Sequence, residues 1–132
     1  MYARYVPLHL HTQYSLLDGA LRIDDLIEEA KRFKLTAVAM TDHGNLFGAI
    51  DFYKKLSKAG IKPIIGCEVY VTPGSYLEKK GRPFHLILLC KDMDGYKNLI
   101  TMVSKSYING FYYKPRVDKD LLSQYSGGLI AL

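Results

Sequence analysis

The chain has 132 residues, a length that suits one domain or less. Its 48% hydrophobic content is typical of a globular protein, and its net charge of +5 permits a polyanionic partner without requiring one. The sequence begins without an apolar leader segment, so we expect no signal peptide. It contains no apolar run of membrane-spanning length, so we expect no membrane partner. Cys67 and Cys90 lie in apolar segments and are expected to be buried, reduced thiols of a cytoplasmic protein.

Strand-like and helix-like segments alternate along the chain. Short apolar or alternating runs predict the strands, and apolar residues spaced three and four apart predict the helices. The predicted elements, in chain order, are a strand over Tyr5–His11, a helix over 23–30, a strand over Thr36–Met40, a helix over 46–53 that is stopped by Gly60, a strand over Lys62–Thr72, a basic loop over Tyr76–Pro83, a strand over His85–Cys90, a helix over 96–103, a surface loop over Phe111–Arg116, a short helix over Asp118–Tyr125 and a strand over Gly128–Leu132.

Strands separated by crossover helices indicate an α/β fold with a mainly parallel sheet. Five such strands are typical of the front part of an α/β barrel, and a complete barrel needs about 250 residues. We therefore expect residues 1–132 to be a single, incomplete domain, truncated after about five strands; a small open sheet is the alternative. The apolar residues 129–132 and the open sheet edges predict that the isolated chain self-associates.

All four histidines of the chain lie in or directly after predicted strands. His9 and His11 face the same way on the first strand because side chains alternate with period 2. His43 follows the second strand, and His85 lies in the strand over 85–90. Imidazole is the commonest protein ligand for transition metals, although any one of these residues taken alone could be a hydrogen-bonded core histidine.

Three carboxylates accompany these histidines. Glu68 interrupts an apolar run, and a buried carboxylate needs a cation or a hydrogen-bond network. Asp18 is either a ligand or a turn residue before Gly19, and Asp42 is either a ligand or a helix cap. Four imidazoles and at least two carboxylates are more than one tetrahedral ion needs, so they favour two or three ions bridged by a carboxylate. Such clusters serve hydrolytic phosphoester chemistry.

Five sequence blocks together resemble one family. The blocks are H-L-H-T-x-Y-S-L-L-D-G-A, T-D-H-G-N-L-F-G-A, I-K-P-I-I-G-C-E-V-Y-V, H-L-I-L-L and G-F-Y-Y-K-P-R. From Tyr5 to Leu132 the chain resembles the N-terminal PHP (polymerase and histidinol phosphatase) domain of bacterial replicative DNA polymerase III alpha subunits. The second and third blocks favour this polymerase branch over stand-alone phosphatases.

The resemblance implies a distorted (β/α)7 barrel with a trinuclear metal cluster built from nine positions. Six of those positions match metal-capable residues here: His9, His11, Asp18, His43, Glu68 and His85. Zinc or manganese ions, up to three in the intact domain, are the expected cofactors. We expect His9, His11 and Glu68 to share one ion, Glu68 to bridge to a second held by His85, and Asp18 and His43 to hold a third. Asp42 is expected to orient His43 or neighbouring backbone.

The resemblance also implies a function. The parent would be a DNA-directed DNA polymerase, a nucleotidyltransferase of DNA replication, whose intact PHP domain acts as a metal-dependent 3′–5′ exonuclease or phosphoesterase. Its partners would be DNA and other replisome subunits, and this chain alone is expected to be inactive. Two alternatives stay open: a structural PHP module that docks a proofreading subunit, and a stand-alone PHP phosphatase such as histidinol phosphatase.

Overall fold

A computed structural model describes residues Met1–Leu132. Four helices and six strands form an α/β fold, as the sequence predicts. They are α1 Ile23–Arg32, β1 Ala37–Met40, α2 Ala49–Lys58, β2 Lys62–Val71, β3 Phe84–Cys90, α3 Met93–Ile108, β4 Phe111–Tyr112, β5 Lys114–Val117, α4 Lys119–Gln124 and β6 Leu129–Ala131. None of the helices combines the length and the apolar character needed to cross a bilayer.

The ten-residue strand β2 organises the sheet. Its first half, Lys62–Ile65, pairs in parallel with β1, and its second half, Gly66–Val71, pairs antiparallel with β3. On the edge opposite β3, the end of β2 pairs in parallel with β5, while β6 adds to the far side of β3 in antiparallel direction. The sheet is therefore mixed, and the prediction of a mainly parallel sheet was wrong. Residues 72–83, which join β2 to β3, contain no crossover helix, and a parallel β3 would need one to return the chain to the start of the sheet.

The segment Tyr5–His11, predicted as a strand, runs beside β1 without forming a regular ladder. The Pro7 carbonyl accepts a hydrogen bond from the Ala39 N–H at 3.0 Å, and the Leu10 carbonyl accepts one from the Thr41 N–H at 2.9 Å. The Leu10 N–H donates to the Thr41 hydroxyl at 2.8 Å instead of to a backbone carbonyl, and proline has no N–H to donate. The segment is extended as predicted, but the strand assignment was wrong.

Two hydrophobic clusters form the core. One packs α1 and α2 against β1, and the other packs α3 and α4 against β2, β3 and β5. In α2 the fully buried residues are Phe52 and Leu56, whereas Ile50 and Tyr53, whose spacing predicts the helix, are 57% and 56% exposed. The helix was predicted correctly, but the face that it buries is not the face marked by Ile50 and Tyr53.

Residues Phe111–Val117, predicted largely as a surface loop, form the β4–β5 hairpin instead. Tyr113 turns the chain with a φ of 57°, in the left-handed region that an aromatic residue rarely adopts, so the sequence carries no turn signal there. Arg116 is fully buried in β5. Its guanidinium donates to the carbonyls of Glu78, Lys80, Gly110 and Tyr76 at 2.7, 2.9, 3.1 and 3.3 Å. Arg116 thus fastens the basic loop to the sheet.

Candidate metal centre

Six side chains from five parts of the chain meet at one end of the sheet. Their ligand atoms form three overlapping groups in which all atoms lie within 4.8 Å of one another. The groups are His9, His11 and Glu68; His11, Asp18 and His43; and His43, Glu68 and His85. The fold therefore brings together every residue that the sequence predicts as a metal ligand.

Backbone pairing holds the central members of this site side by side. The Glu68 N–H donates to the Asp42 carbonyl at 3.0 Å, and the Gly44 N–H donates to the Glu68 carbonyl at 2.9 Å, so His43 lies next to Glu68 as an extension of the β1–β2 pairing. On the other edge of β2, His85 of β3 pairs with Tyr70. The alternation of side chains along β2 turns Glu68 toward the site and leaves Cys67 in the core.

The Glu68 carboxylate is the centre of the cluster and is only 4% exposed. Its Oε2 lies 2.6 Å from His9 Nε2 and 2.7 Å from His11 Nε2, and those two nitrogens are 3.2 Å apart. Its Oε1 is hydrogen-bonded to His85 Nδ1 and lies 3.6 Å from His43 Nδ1. Each carboxylate oxygen thus faces its own pair of imidazoles, which is the arrangement of a bridging carboxylate.

Burial by itself would raise the pKa of Glu68, but hydrogen bonds with His11, His85 and His9 outweigh it and lower the pKa to about 2. The carboxylate is therefore ionised at neutral pH. All of its ion pairs are with imidazoles and none is with a lysine or arginine. A buried anion of this kind is stabilised by an additional cation.

Asp18 joins the cluster from the loop before α1. Its Oδ2 lies 3.0 Å from His43 Nε2 and 3.2 Å from His11 Nδ1. Partial burial raises the pKa of Asp18, while the contacts with His43 and His11 outweigh it and lower the pKa below its ordinary value. Asp18 is half exposed, as are His9 and His85, so all three groups have a member on the open side of the site.

One atom lacks a partner in this arrangement. His43 Nδ1 is buried and makes no hydrogen bond. A divalent ion shared with Glu68 and His85 would supply the missing partner of this nitrogen. Around an ion with bonds of about 2.1 Å, neighbouring ligand atoms lie roughly 3.0–3.4 Å apart. The ligand-atom separations given above, between 2.6 and 3.6 Å, bracket this range. Imidazole nitrogens with carboxylate oxygens suit zinc or manganese, so the residues present fit such a metal.

Asp42 is completely buried and belongs to none of the three ligand groups. Its carboxylate accepts hydrogen bonds from the Thr12 N–H at 2.5 Å, the Thr12 hydroxyl at 2.7 Å and the Ser15 hydroxyl at 2.9 Å. The Ser15 oxygen in turn accepts from the His43 N–H at 3.1 Å. Asp42 therefore holds the loop that carries His11 and Asp18. Thr12 and Ser15 were not singled out from the sequence, although both lie in the block that contains His9 and His11.

A cavity of about 390 Å³ opens beside the cluster. Three cluster residues, Asp18, His43 and His85, line it together with Phe47, Tyr107 and Lys114. Tyr70 stacks on the His43 ring, with centroids 5.8 Å apart and planes 15° apart. Sequence reasoning missed these lining residues, because aromatic residues and lysines are abundant in the chain and only the fold shows which ones border the site.

The sequence pattern of the PHP domain matches residues 7–132, nearly the whole chain. The chain belongs to the PHP domain family. Among curated proteins, this PHP chain is 56% identical to the DNA polymerase III subunit alpha of Borreliella burgdorferi and 53% identical to that of Chlamydia pneumoniae. Each alignment covers 97% of the chain but only 12% and 11% of the respective relatives, so the chain spans about a tenth of their length.

A solved structure with a similar fold is an amidohydrolase from Chromobacterium violaceum, which contains bound sulfate and no metal. Its TM-score with the PHP chain is 0.56 at 25% identity, over 76% of this chain and 32% of the amidohydrolase. This likeness supports the assignment of the chain to a barrel-type α/β fold.

Proposed function

We propose that this PHP chain is part of a bacterial DNA polymerase III alpha subunit, a cytoplasmic DNA-directed DNA polymerase that works on DNA with other replisome subunits. The high identity to two such subunits, over 97% of the chain, supports this proposal. Both relatives are polymerase subunits, which favours the polymerase alternative over a stand-alone phosphatase.

We further propose that the histidine and carboxylate cluster is a divalent-metal centre for phosphoester hydrolysis of the 3′–5′ exonuclease type. The observation that carries this proposal is the Glu68 carboxylate, which is buried, ionised and flanked by two imidazoles on each oxygen. Zinc or manganese ions bound there would activate water and neutralise phosphate oxygens. His9 and His11 would hold one ion with Glu68, His85 and His43 a second with Glu68, and Asp18 a third with His43 and His11.

The protein residues contribute charge and order to this centre. Glu68 would place one negative charge between two bound cations and would offset part of their charge. Asp42 keeps the loop between His11 and Asp18 in place through Thr12 and Ser15. Asp18, which is half exposed, lines the cavity with His43 and His85, and an incoming phosphoester would meet the cluster on this side.

The test uses the full-length protein, its zinc and manganese content, and the hydrolysis of a 3′-labelled primer. Glu68→Gln should weaken metal binding at least tenfold and reduce hydrolysis to background, because the amide is neutral and cannot accept on both sides. Glu28→Gln, on an exposed position of α1, is the matched control and should leave both unchanged. Primer extension should survive Glu68→Gln.

Two results would contradict the proposal. A wild-type protein that binds no divalent metal would eliminate the metal centre. A protein that binds metal through Glu68 yet hydrolyses no phosphoester would favour the structural module that docks a proofreading subunit.

A further inference from the structure

Three side chains that line the cavity, Lys114, Phe47 and Tyr107, take no part in the metal cluster, and together they are called the cavity wall. Lys114, at the start of β5, places its ammonium 5.3 Å from the centre of the Tyr70 ring. The lysines that pair with carboxylates are Lys55 and Lys80, so the Lys114 charge has no anionic partner in the protein. An unpaired cation beside a cluster suited to metal ions makes the cavity attractive to a group with several negative oxygens.

Lys114 is also well positioned. The β4–β5 hairpin that carries it is held by the buried Arg116, and Pro115 packs close to Gly44, the residue after His43. The ammonium is therefore kept near the site by two neighbours in sequence that are both buried. Lysine binds phosphate as a point charge, and this function needs such placement more than a fixed hydrogen-bond angle.

The second feature of this wall is aromatic. Phe47 and Tyr107 have ring centroids 6.5 Å apart, and they are 63% and 39% exposed. Tyr107 also lies 6.1 Å from the Phe111 ring. These rings line the cavity together with His85 and remain outside both core clusters. Exposed rings next to a strongly polar site provide a surface on which a flat aromatic ligand can stack.

We propose that this wall is a nucleotide subsite, in which Lys114 binds the phosphate and the Phe47–Tyr107 pair stacks on the adjoining base. The inference rests on the proposed function, because it names the substrate class of the same site. The cavity, at about 390 Å³, has the size of small-molecule binding sites. Stacking on aromatic side chains is tolerant of base identity, so the subsite recognises a nucleotide without selecting its sequence.

The experiment measures binding of three probes to the manganese-loaded full-length protein by calorimetry: deoxyadenosine monophosphate, inorganic phosphate and deoxyadenosine. Lys114→Ala should weaken both phosphate-containing probes about tenfold, since a charge-assisted contact is lost. Lys114→Arg should restore most of that affinity. Phe47→Ala should weaken the two base-containing probes fivefold or more and leave inorganic phosphate unchanged.

The matched controls are Lys97→Ala on α3 and Phe33→Ala, which replaces a ring at the end of α1 with similar exposure to Phe47. Neither should change any affinity. Thermal melting of each variant identifies a loss of folding. Lys114→Arg keeps the charge and Phe47→Leu keeps most of the bulk, so these two variants test the same groups with less risk of unfolding the protein. Phe47→Leu should bind phosphate normally and the nucleotide more weakly.

Unchanged nucleotide affinity in Lys114→Ala and Phe47→Ala would overturn the subsite, as would an equal loss of affinity for all three probes in Phe47→Ala.

The binding and hydrolysis experiments distinguish a failure of the subsite from a failure of the proposed function. If the wild type hydrolyses primer ends and the variants bind nucleotide normally, the metal centre stands without this subsite. If the wild type does not hydrolyse primers and the variants still lose nucleotide selectively, the subsite stands without the hydrolytic activity.

Discussion

The buried carboxylate of Asp42 provides a quantitative test of how the site is held together. It accepts three hydrogen bonds, from the Thr12 N–H, the Thr12 hydroxyl and the Ser15 hydroxyl, and it is completely buried. Asp42→Ala removes all three acceptor contacts at once. Asp42→Asn keeps one carbonyl oxygen and presents an amide to the remaining partners. The two variants therefore separate the loss of charge from the loss of the hydrogen-bond network.

The expected magnitudes follow from the partners. In Asp42→Ala the Thr12 N–H is left buried without an acceptor, which costs about 1–3 kcal/mol. The two hydroxyls lose bonds to a charged group but can rotate, and the Ser15 oxygen still accepts from His43. Together these effects should lower the free energy of unfolding by about 3–5 kcal/mol. Asp42→Asn should cost about 1–2 kcal/mol, because the Thr12 N–H keeps an acceptor and the Thr12 hydroxyl can accept from the new amide.

Urea unfolding of the metal-free chain, followed by circular dichroism, measures both values if the slope of the transition is unchanged. Asp94→Ala, an exposed aspartate in the first turn of α3, is the control and should stay within about 0.5 kcal/mol of the wild type. A loss of unfolding free energy below about 1 kcal/mol in Asp42→Ala would refute the view that this carboxylate holds the loop in place.

In the full-length protein, Asp42→Asn should also reduce hydrolytic activity less than His43→Ala does. The opposite ranking would make Asp42 the ligand.

Three further predictions concern other parts of the chain. Burial raises the pKa of the Cys90 thiol from 9.0 to about 11, so at pH 8 it should react with a thiol reagent roughly 100-fold more slowly than a free cysteine. Burial raises the pKa of Cys67 further, so Cys67 should react more slowly still until urea unfolds the chain; rapid labelling of the native chain would contradict this. Arg116→Lys keeps the charge but cannot reach four carbonyls, and should destabilise the chain by about 2–4 kcal/mol in urea unfolding, while Arg82→Lys on the exposed loop should have no effect. The free edge of β6, where Ile130 is exposed, should make the isolated chain self-associate in concentration-dependent light scattering; Ile130→Lys should reduce the association, and a monomer at every concentration would disprove it.

The metal-capable residues could be predicted from the sequence because their side-chain types are rare and their neighbours are informative. His9 and His11 share a face by alternation, and Glu68 in an apolar run already required a partner. The contacts themselves could not be predicted. Glu68 contacts His9 at a sequence separation of 59 residues, so which oxygen faces which imidazole depends on the packing of the whole fold.

The errors have identifiable physical causes. Hydrophobic periodicity reports which residues are buried but not the direction of a strand, so the antiparallel pairing of β3 stayed hidden. The β4–β5 hairpin turns at Tyr113, where none of the usual turn residues occurs. Lys114 and Phe47 border the cavity only because of that hairpin and of the loop before α2. Their position is a property of the tertiary structure.

The two-residue period of β2 constrains how the length of this chain can change. Glu68 points into the cluster, whereas Cys67 and Val69 on either side of it point into the core. Inserting or deleting one residue between Gly66 and Glu68 would reverse these directions, presenting an apolar group or a thiol to the histidines and driving a carboxylate into the interior. A two-residue change would preserve the facing but shift the pairing with β3. Differences in length are therefore expected outside the strand; within the exposed stretch over 77–82 they would spare the cluster but would displace the Glu78 and Lys80 carbonyls that bind Arg116.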